Sequence, residues 1–247
     1  MTKTIMITGA SRGIGAACAV LAAKAGYRVA INFVSNEGAA RSVLEKVCAA
    51  GSDGVTIQGD VGNSTDIKRI FAEADKLGPL AGLINNAGIV DRRQRVDEMD
   101  VERLERMMRV NVTGSILCAR EAVRRMSTRH GGKGGSIVNL SSVAAKLGAP
   151  GQYVDYAASK GAIDSFTLGL AREVAEEGIT VNAVRPGIID TDIHASGGEP
   201  DRVAQMRSSV PMKREGSAEE VAEAILWLMS PAASYVTGTI IDVTGGR

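Results

Sequence analysis

What most limits how this chain can fold lies at its start. Thr4-Ile5-Met6-Ile7 is a short apolar run of strand type, and it passes directly into Thr8-Gly9-Ala10-Ser11-Arg12-Gly13-Ile14-Gly15. Behind the glycines, Ile14, Cys18, Leu21, Ala22 and Ala25 recur at helical spacing, and Gly26 supplies a stop. A strand that turns through glycines into a helix puts bare backbone amides at the positive end of that helix. A pyrophosphate can approach there.

The same unit then repeats. Val29–Val34 is a second strand, followed by a stripe of Ala40, Val43, Leu44 and Val47. Val55-Thr56-Ile57 closes on Gly59-Asp60-Val61, and Ile67, Ile70, Phe71, Ala74 and Leu77 form the next stripe, entered from Ser64. Leu83-Ile84 leads into Asn85-Asn86-Ala87-Gly88, and one long helix is predicted from about Val101 to Met126. Ile137–Leu140 delivers Ser141 and Ser142; a helix carrying Tyr156 then runs to about Glu177 and stops at Gly178. Ile179–Val184 ends at Arg185-Pro186-Gly187, Ser217–Glu220 reads as a capping box, and Thr239–Val243 is the last strand. Alternating strands and helices with short connections give an α/β doubly wound parallel sheet of about seven strands, with helices on both faces. With no Pro-rich or Ser-rich linker, residues 1–247 read as one domain. The polar stretch at about 188–216, with only a short helical candidate near 200–209, reads as a substrate lid.

Composition excludes several functions. A net charge of +1 gives no electrostatic case for nucleic acid or an anionic membrane. No apolar run reaches ~18 residues and no signal peptide is evident, so a cytoplasmic protein is expected. Two histidines cannot build a His-rich metal site, and the alternation Asp190, Asp192, His194 reads as a polar loop; no metal is expected. Cys18, Cys48 and Cys118 lie far apart and read as small buried hydrophobes in a reducing compartment.

The chemistry is expected between Ser142 and Lys160. On a helix, Tyr156 and Lys160, four positions apart, are neighbours on one face. A free phenol titrates near ~10. An adjacent ammonium lowers that value and fits Tyr156 for general acid or base work. A serine hydroxyl from Ser142 would hold the substrate oxygen. Chance alone produces such a pair often; what raises it is that the glycine loop, Asp60, Asn85–Gly88, Ser142 and Pro186-Gly187 all fall at the C-terminal ends of strands, where doubly wound sheets bind ligands.

Over essentially its whole length the chain resembles the short-chain dehydrogenase/reductase family in its form of about 250 residues, with a single Rossmann-type domain. Thr8-Gly9-x-x-x-Gly13-x-Gly15 is similar to the family's cofactor loop, Asp60-Val61 to its adenine contact, and Asn85-Asn86-Ala87-Gly88 to its central strand-end motif. Asn111, Ser142, Tyr156 and Lys160 match its catalytic four. Pro186-Gly187 with Ile189 and Thr191 resembles the segment that holds the nicotinamide carboxamide. The resemblance implies cofactor contacts at Gly9, Ser11, Arg12, Gly13, Ile14, Gly15, Asp60, Val61, Asn86, Ala87, Gly88, Tyr156, Lys160, Pro186, Gly187, Ile189 and Thr191. It implies hydride transfer between a nicotinamide and a small carbonyl or secondary alcohol, with Lys160 also on the ribose, and a homotetramer. Asn111 would hold a water linking Lys160 to solvent, or merely be a polar break in the long helix. The Ser142–Tyr156 spacing is one residue longer than the family's commonest, which leaves Ser141 as an alternative to the favoured Ser142. The second strand ends Asn32-Phe33-Val34-Ser35-Asn36 with no acid before Glu37, and Arg12 sits in the loop, so NADP(H) is expected over NAD(H), which remains possible. The competing readings are a catalytically inactive dinucleotide-binding scaffold and a methyltransferase on the same fold. Neither gives Tyr156 and Lys160 a role.

Overall fold

The computed structural model describes residues 3–191, 197–199 and 201–247. Asp192 and His194 lie outside them, as does part of the expected lid. The strands are β1 (Thr4–Ile7), β2 (Arg28–Phe33), β3 (Gly54–Gln58), β4 (Leu80–Asn85), β5 (Gly135–Leu140), β6 (Ile179–Pro186) and β7 (Ile240–Val243). They form one sheet in the order β3-β2-β1-β4-β5-β6-β7, with every pair parallel. Building outward from β1, the chain first goes one way to β3 and then returns to add β4 on the other side. That reversal opens a crevice beyond the ends of β1 and β4.

The strands are almost wholly apolar because both faces are covered. Alternate residues serve opposite cores. Ile5, Ile7 and Ile31 pack beneath α1 (Gly13–Lys24), α2 (Glu37–Ala49) and, far along the chain, the helix Ala218–Met229. Met6 and Ala30 pack on the other side with α3 (Ser64–Asp75) and the later helices of that face. Among these apolar strands a few buried amides are fully used: Asn85 Nδ2 donates to Asn139 Oδ1 at 3.0 Å, and Asn139 Nδ2 to Thr167 Oγ1 at 2.9 Å. They tie β4 to β5 and β5 to the helix that carries Tyr156.

The long helix expected over 101–126 is interrupted. It consists of α4 (Val101–Met108), a π-helical turn (Arg109–Gly114) and α5 (Ser115–Met126). The wide turn brings Asn111 inward, and it packs Gly114 so tightly that a Cβ there would stand 2.6 Å from the Val61 carbonyl oxygen. Such turns concentrate at functional sites. After a short α6 (Ala144–Leu147) comes α7 (Val154–Val174), which tightens into a 3-10 turn, Ala175–Glu177, before Gly178. The later helices are α8 (Arg202–Met206) and α9 (Ala218–Met229). The capping box is present: Glu220 N donates to Ser217 Oγ at 3.1 Å and Ser217 N to Glu220 Oε2 at 2.8 Å.

Cys18 and Cys118 are buried, and burial raises both thiols, Cys118 to about 12. Cys48 is exposed, contrary to expectation. The buried stripe of α2 is Ala40, Val43 and Val47, and Cys48 follows Val47 by one position, about 100° further round the helix.

Candidate active site

The glycine loop is held by side chains from three neighbouring strand ends. Thr8 Oγ1 accepts from the amides of Asn86 and Ala87, both at 3.0 Å, and Asn86 Nδ2 donates to the carbonyls of Thr8 (2.8 Å) and Gly9 (2.9 Å). Gly9 N donates to Asn32 Oδ1 at 3.2 Å, while Asn32 Nδ2 reaches Gly59 O at 2.9 Å and Ile57 O at 3.2 Å. Sequence reasoning treated Asn32 as part of an apolar strand, yet this buried amide joins β1, β2 and β3. An amide in the middle of Val-Ala-Ile-Asn-Phe-Val was the available signal. Gly9 adopts φ +61°, and a Cβ on Gly15 would lie 2.6 Å from Asn86 Nδ2, so neither accepts another residue without rearrangement.

Helix α1 has no side-chain cap from Arg12, and its first turn carries no acidic residue. Its leading amides therefore open on the crevice without a competing anion. That is the environment a pyrophosphate needs. Ser11, Gly13 and Ile14 are half-buried beside it, and Thr191 covers Gly13, 3.3 Å from where its Cβ would be. Asp60 holds the adjoining turn, its Oδ1 accepting from Gly62 N at 2.7 Å, with Val61 buried behind. The residues present thus fit a dinucleotide. When bound, its nicotinamide supplies or takes the hydride.

The reacting groups converge at the ends of β4 and β5. Ser142 and Tyr156 line the same cavity, and Ser142 Oγ accepts from Ala144 N at 3.1 Å. Ser141 points elsewhere: its hydroxyl donates to the Lys160 carbonyl at 3.2 Å, fixing α7 against β5. Lys160 Nζ lies 5.6 Å from the Tyr156 ring centre and donates to Leu140 O at 2.6 Å. A Cβ on Gly88 would be 3.5 Å from that ammonium, so the Asn86–Gly88 turn forms its other wall.

The electrostatics differ from the sequence expectation. Enclosure among protein atoms pushes the Tyr156 phenol up to about 12, with the Ser142 hydrogen bond as the opposing influence. Burial lowers Lys160 to about 8, against the pull of Asp164. Burial thus sets the direction for the phenol, while the ammonium is engaged by the Leu140 carbonyl. Asn111 is held within the π-helical turn. Its Oδ1 accepts from Ile89 N at 2.8 Å, and its Nδ2 donates to Ile89 O, Met107 Sδ and Ser159 Oγ at 2.9, 3.0 and 3.1 Å. Those contacts tie the turn beside Lys160 to Ile89 and to α7.

Ser142, Tyr156 and Lys160 line a cavity of about 190 Å³, together with Ile14, Gly187 and Ile189. Among the residues that sequence reasoning did not single out, Gln152, Tyr153 and Arg202 also face it. None stood in a recognisable spacing, because they come from a loop, a helix start and the polar 188–216 segment.

A doubly wound parallel sheet with a bare glycine loop and a Ser/Tyr/Lys cluster on one edge defines an oxidoreductase of CH–OH and C=O groups that uses a nicotinamide dinucleotide. The chain belongs to the short-chain dehydrogenase/reductase family: a family profile described as enoyl-(acyl carrier protein) reductase matches residues 9–247. It is 53% identical over 243 residues to the Escherichia coli (strain K12) protein described as uncharacterized oxidoreductase YgfF, covering 98% of each chain. It is 36% identical to the Staphylococcus aureus (strain Mu50) 3-oxoacyl-[acyl-carrier-protein] reductase FabG, covering 100% of this chain and 98% of that one. Among solved structures, a short chain dehydrogenase from Burkholderia cenocepacia J2315 in complex with NADP superposes with a TM-score of 0.90 at 31% identity, covering 99% of this chain and 97% of that one.

Proposed function

We propose that this protein is an NADP(H)-dependent reductase of small carbonyl compounds, and dehydrogenase of the corresponding secondary alcohols, with Tyr156 as general acid/base. The observation that carries this reading is the meeting of Ser142, Tyr156 and Lys160 in one cavity, on the same edge as the uncapped glycine loop. A phenol with a pKa of about 12 is protonated at neutral pH, the state a proton donor to a carbonyl oxygen requires. Ser142 shares the substrate oxygen and steadies the phenolate left behind. Lys160 balances that phenolate, and its remaining N–H groups would be available to the nicotinamide ribose of a bound cofactor. Asn111 acts as a positioning residue, holding Ile89 and so the Asn86–Gly88 turn. Residues 188–216 are read as the lid, and of the described ones Ile188, Ile189, Thr191 and Arg202 line the cavity.

The preference for NADP(H) rests on charge around the ribose 2′ position. Asn32 is buried and committed to the loop. Glu37, the first acid after β2, is turned along its own helix and paired with Arg41 at 2.6 Å. Arg12 is exposed in the glycine loop, next to the place a 2′-phosphate would take. With a panel of small carbonyls, kcat/KM is expected to be at least about tenfold higher with NADPH than with NADH, and Arg12→Ala should weaken NADPH far more than NADH. An NADH advantage, or an Arg12→Ala effect equal for both cofactors, contradicts the preference.

A further inference from the structure

A guanidinium stays charged at any pH a folded protein meets, so burying one demands partners. Arg202, on α8, is 5% exposed and lines the reaction cavity. Its Nη2 donates to Gln152 Oε1 at 2.7 Å, its Nη1 to Glu199 Oε2 at 3.2 Å, and its Cζ stands 5.0 Å over the Tyr153 ring. Its Nε is buried and has no hydrogen-bond partner. Glu199 is not Arg202's alone, because Arg93 is paired with the same carboxylate. Arg247 lines the cavity beside it, and among the described residues its guanidinium makes no hydrogen bond or ion pair. Burial, and then the like charge of Arg202, hold Arg247 below its ordinary pKa. One wall of this cavity therefore carries a buried guanidinium and a half-buried one, and among the described groups the carboxylate paired with Arg202, Glu199, is shared with Arg93. Other lining residues, Val90, Leu147 and Ala149, are apolar. Unanswered charge in such surroundings attracts an anion strongly.

The position of that charge relative to the reacting groups sets the shape of the ligand. Tyr153 stands edge-on to Tyr156, ring centres 5.8 Å apart at 88°, and Arg202 lies over Tyr153. One aromatic ring thus separates the proton donor from the guanidinium. We propose that the substrate is a small oxo acid or the corresponding hydroxy acid, its carboxylate held by Arg202 and Arg247 while Tyr156 and Ser142 hold the reacting oxygen several bonds away. A carboxylate matches the planar fork of a guanidinium. This rests on the carbonyl reductase reading above and deepens it.

A purely structural clamp, Arg202 fastening α8 to Gln152 and Tyr153, gives no reason for a second arginine at its side that no described group pairs. The test is a series of straight-chain oxo acids of increasing carbonyl-to-carboxylate distance, each assayed beside its methyl ester. At the best spacing the acid is expected to exceed its ester at least about tenfold in kcat/KM. In Arg247→Gln that acid-to-ester ratio should fall roughly 10- to 30-fold, mainly through KM, with Arg202→Gln as a second variant. Calorimetry with a saturated, non-reducible carboxylate provides a readout without turnover: the wild-type protein binds it, Arg247→Gln binds it at least about tenfold more weakly, and the matching amide does not bind. Esters preferred over acids at every spacing, or a ratio unchanged by both substitutions, overturns the inference while leaving the carbonyl reductase reading intact. So does binding of inorganic phosphate in place of the carboxylate. Failure to turn over any carbonyl, charged or neutral, overturns both.

Discussion

Tyr156→Phe is expected to lower kcat at least about 1,000-fold while changing cofactor affinity by no more than about twofold. The size follows from the work assigned to the hydroxyl, since positioned general acid–base groups typically contribute ~10²–10⁴. The substitution keeps the ring, its edge-on contact with Tyr153 and its place on α7, and removes only the proton and the partner of Ser142. Lys160→Ala differs in kind. It removes the charge facing the phenolate and also the group directed at the ribose, so kcat and cofactor binding should decline together. Steady-state kinetics with fluorescence titration of NADPH separate the two patterns. Near-full activity in Tyr156→Phe would remove the phenol from the mechanism.

The second large effect concerns what holds Tyr156 in place. Its neighbour Asp155 is buried and accepts from Arg103 Nε at 2.8 Å and Nη2 at 3.1 Å, a two-pronged pair with side chains 6% and 1% exposed. The hydrogen bond to Asp155 is the main reason Arg103 is held above its ordinary pKa. Arg103 also donates to Arg92 O at 2.8 Å and Gln94 Oε1 at 2.9 Å. One residue of α4 therefore binds the first turn of α7 and the loop before α4. Asp155→Ala leaves a guanidinium buried without its counter-ion, a change that typically costs about 3–5 kcal/mol. For a chain of this length that corresponds to a fall of roughly 10 °C in Tm. Replacing both partners, as Arg103→Met with Asp155→Leu, should recover part of the loss, because the unpaired charge is then gone. Thermal and denaturant unfolding read the effect directly. A loss below about 1 kcal/mol for Asp155→Ala would mean that the pair is solvated and contributes little.

The parts of this structure that were legible in the sequence are those governed by short-range pattern. Ile5, Ile7, Ile31 and their neighbours had to be strands because apolar runs of four to six residues between glycines fit a sheet covered on both faces. Ser217 and Glu220 announce a helix start by chemistry confined to four residues. What sequence did not show depends on partners distant along the chain. The π turn exists because Asn111 reaches Ile89, and neither residue carries a local sign of it. Ser141 and Ser142 are adjacent hydroxyls, and only the packing of α7 on β5 sends one to the Lys160 carbonyl and leaves the other in the cavity with Tyr156. Arg202 was hidden because the segment around it has no periodicity, although its side chain is among the most enclosed charges in the molecule. The direction of the Tyr156 shift was misread for a related reason: spacing gives the neighbour's charge, but not the burial that opposes it.

The central claim is that this site moves a hydride to a carbonyl carbon while Tyr156 delivers the proton. Incubating the protein with a reducible ketone and NADPH deuterated at the nicotinamide C4, on either face, and analysing the alcohol by mass spectrometry tests it most directly. The expected result is one deuterium on the carbinol carbon from one of the two labelled faces and none from the other, with the amount formed by Tyr156→Phe at least about 1,000-fold lower. Alcohol formed without deuterium from either face, or formed equally well by Tyr156→Phe, would contradict it.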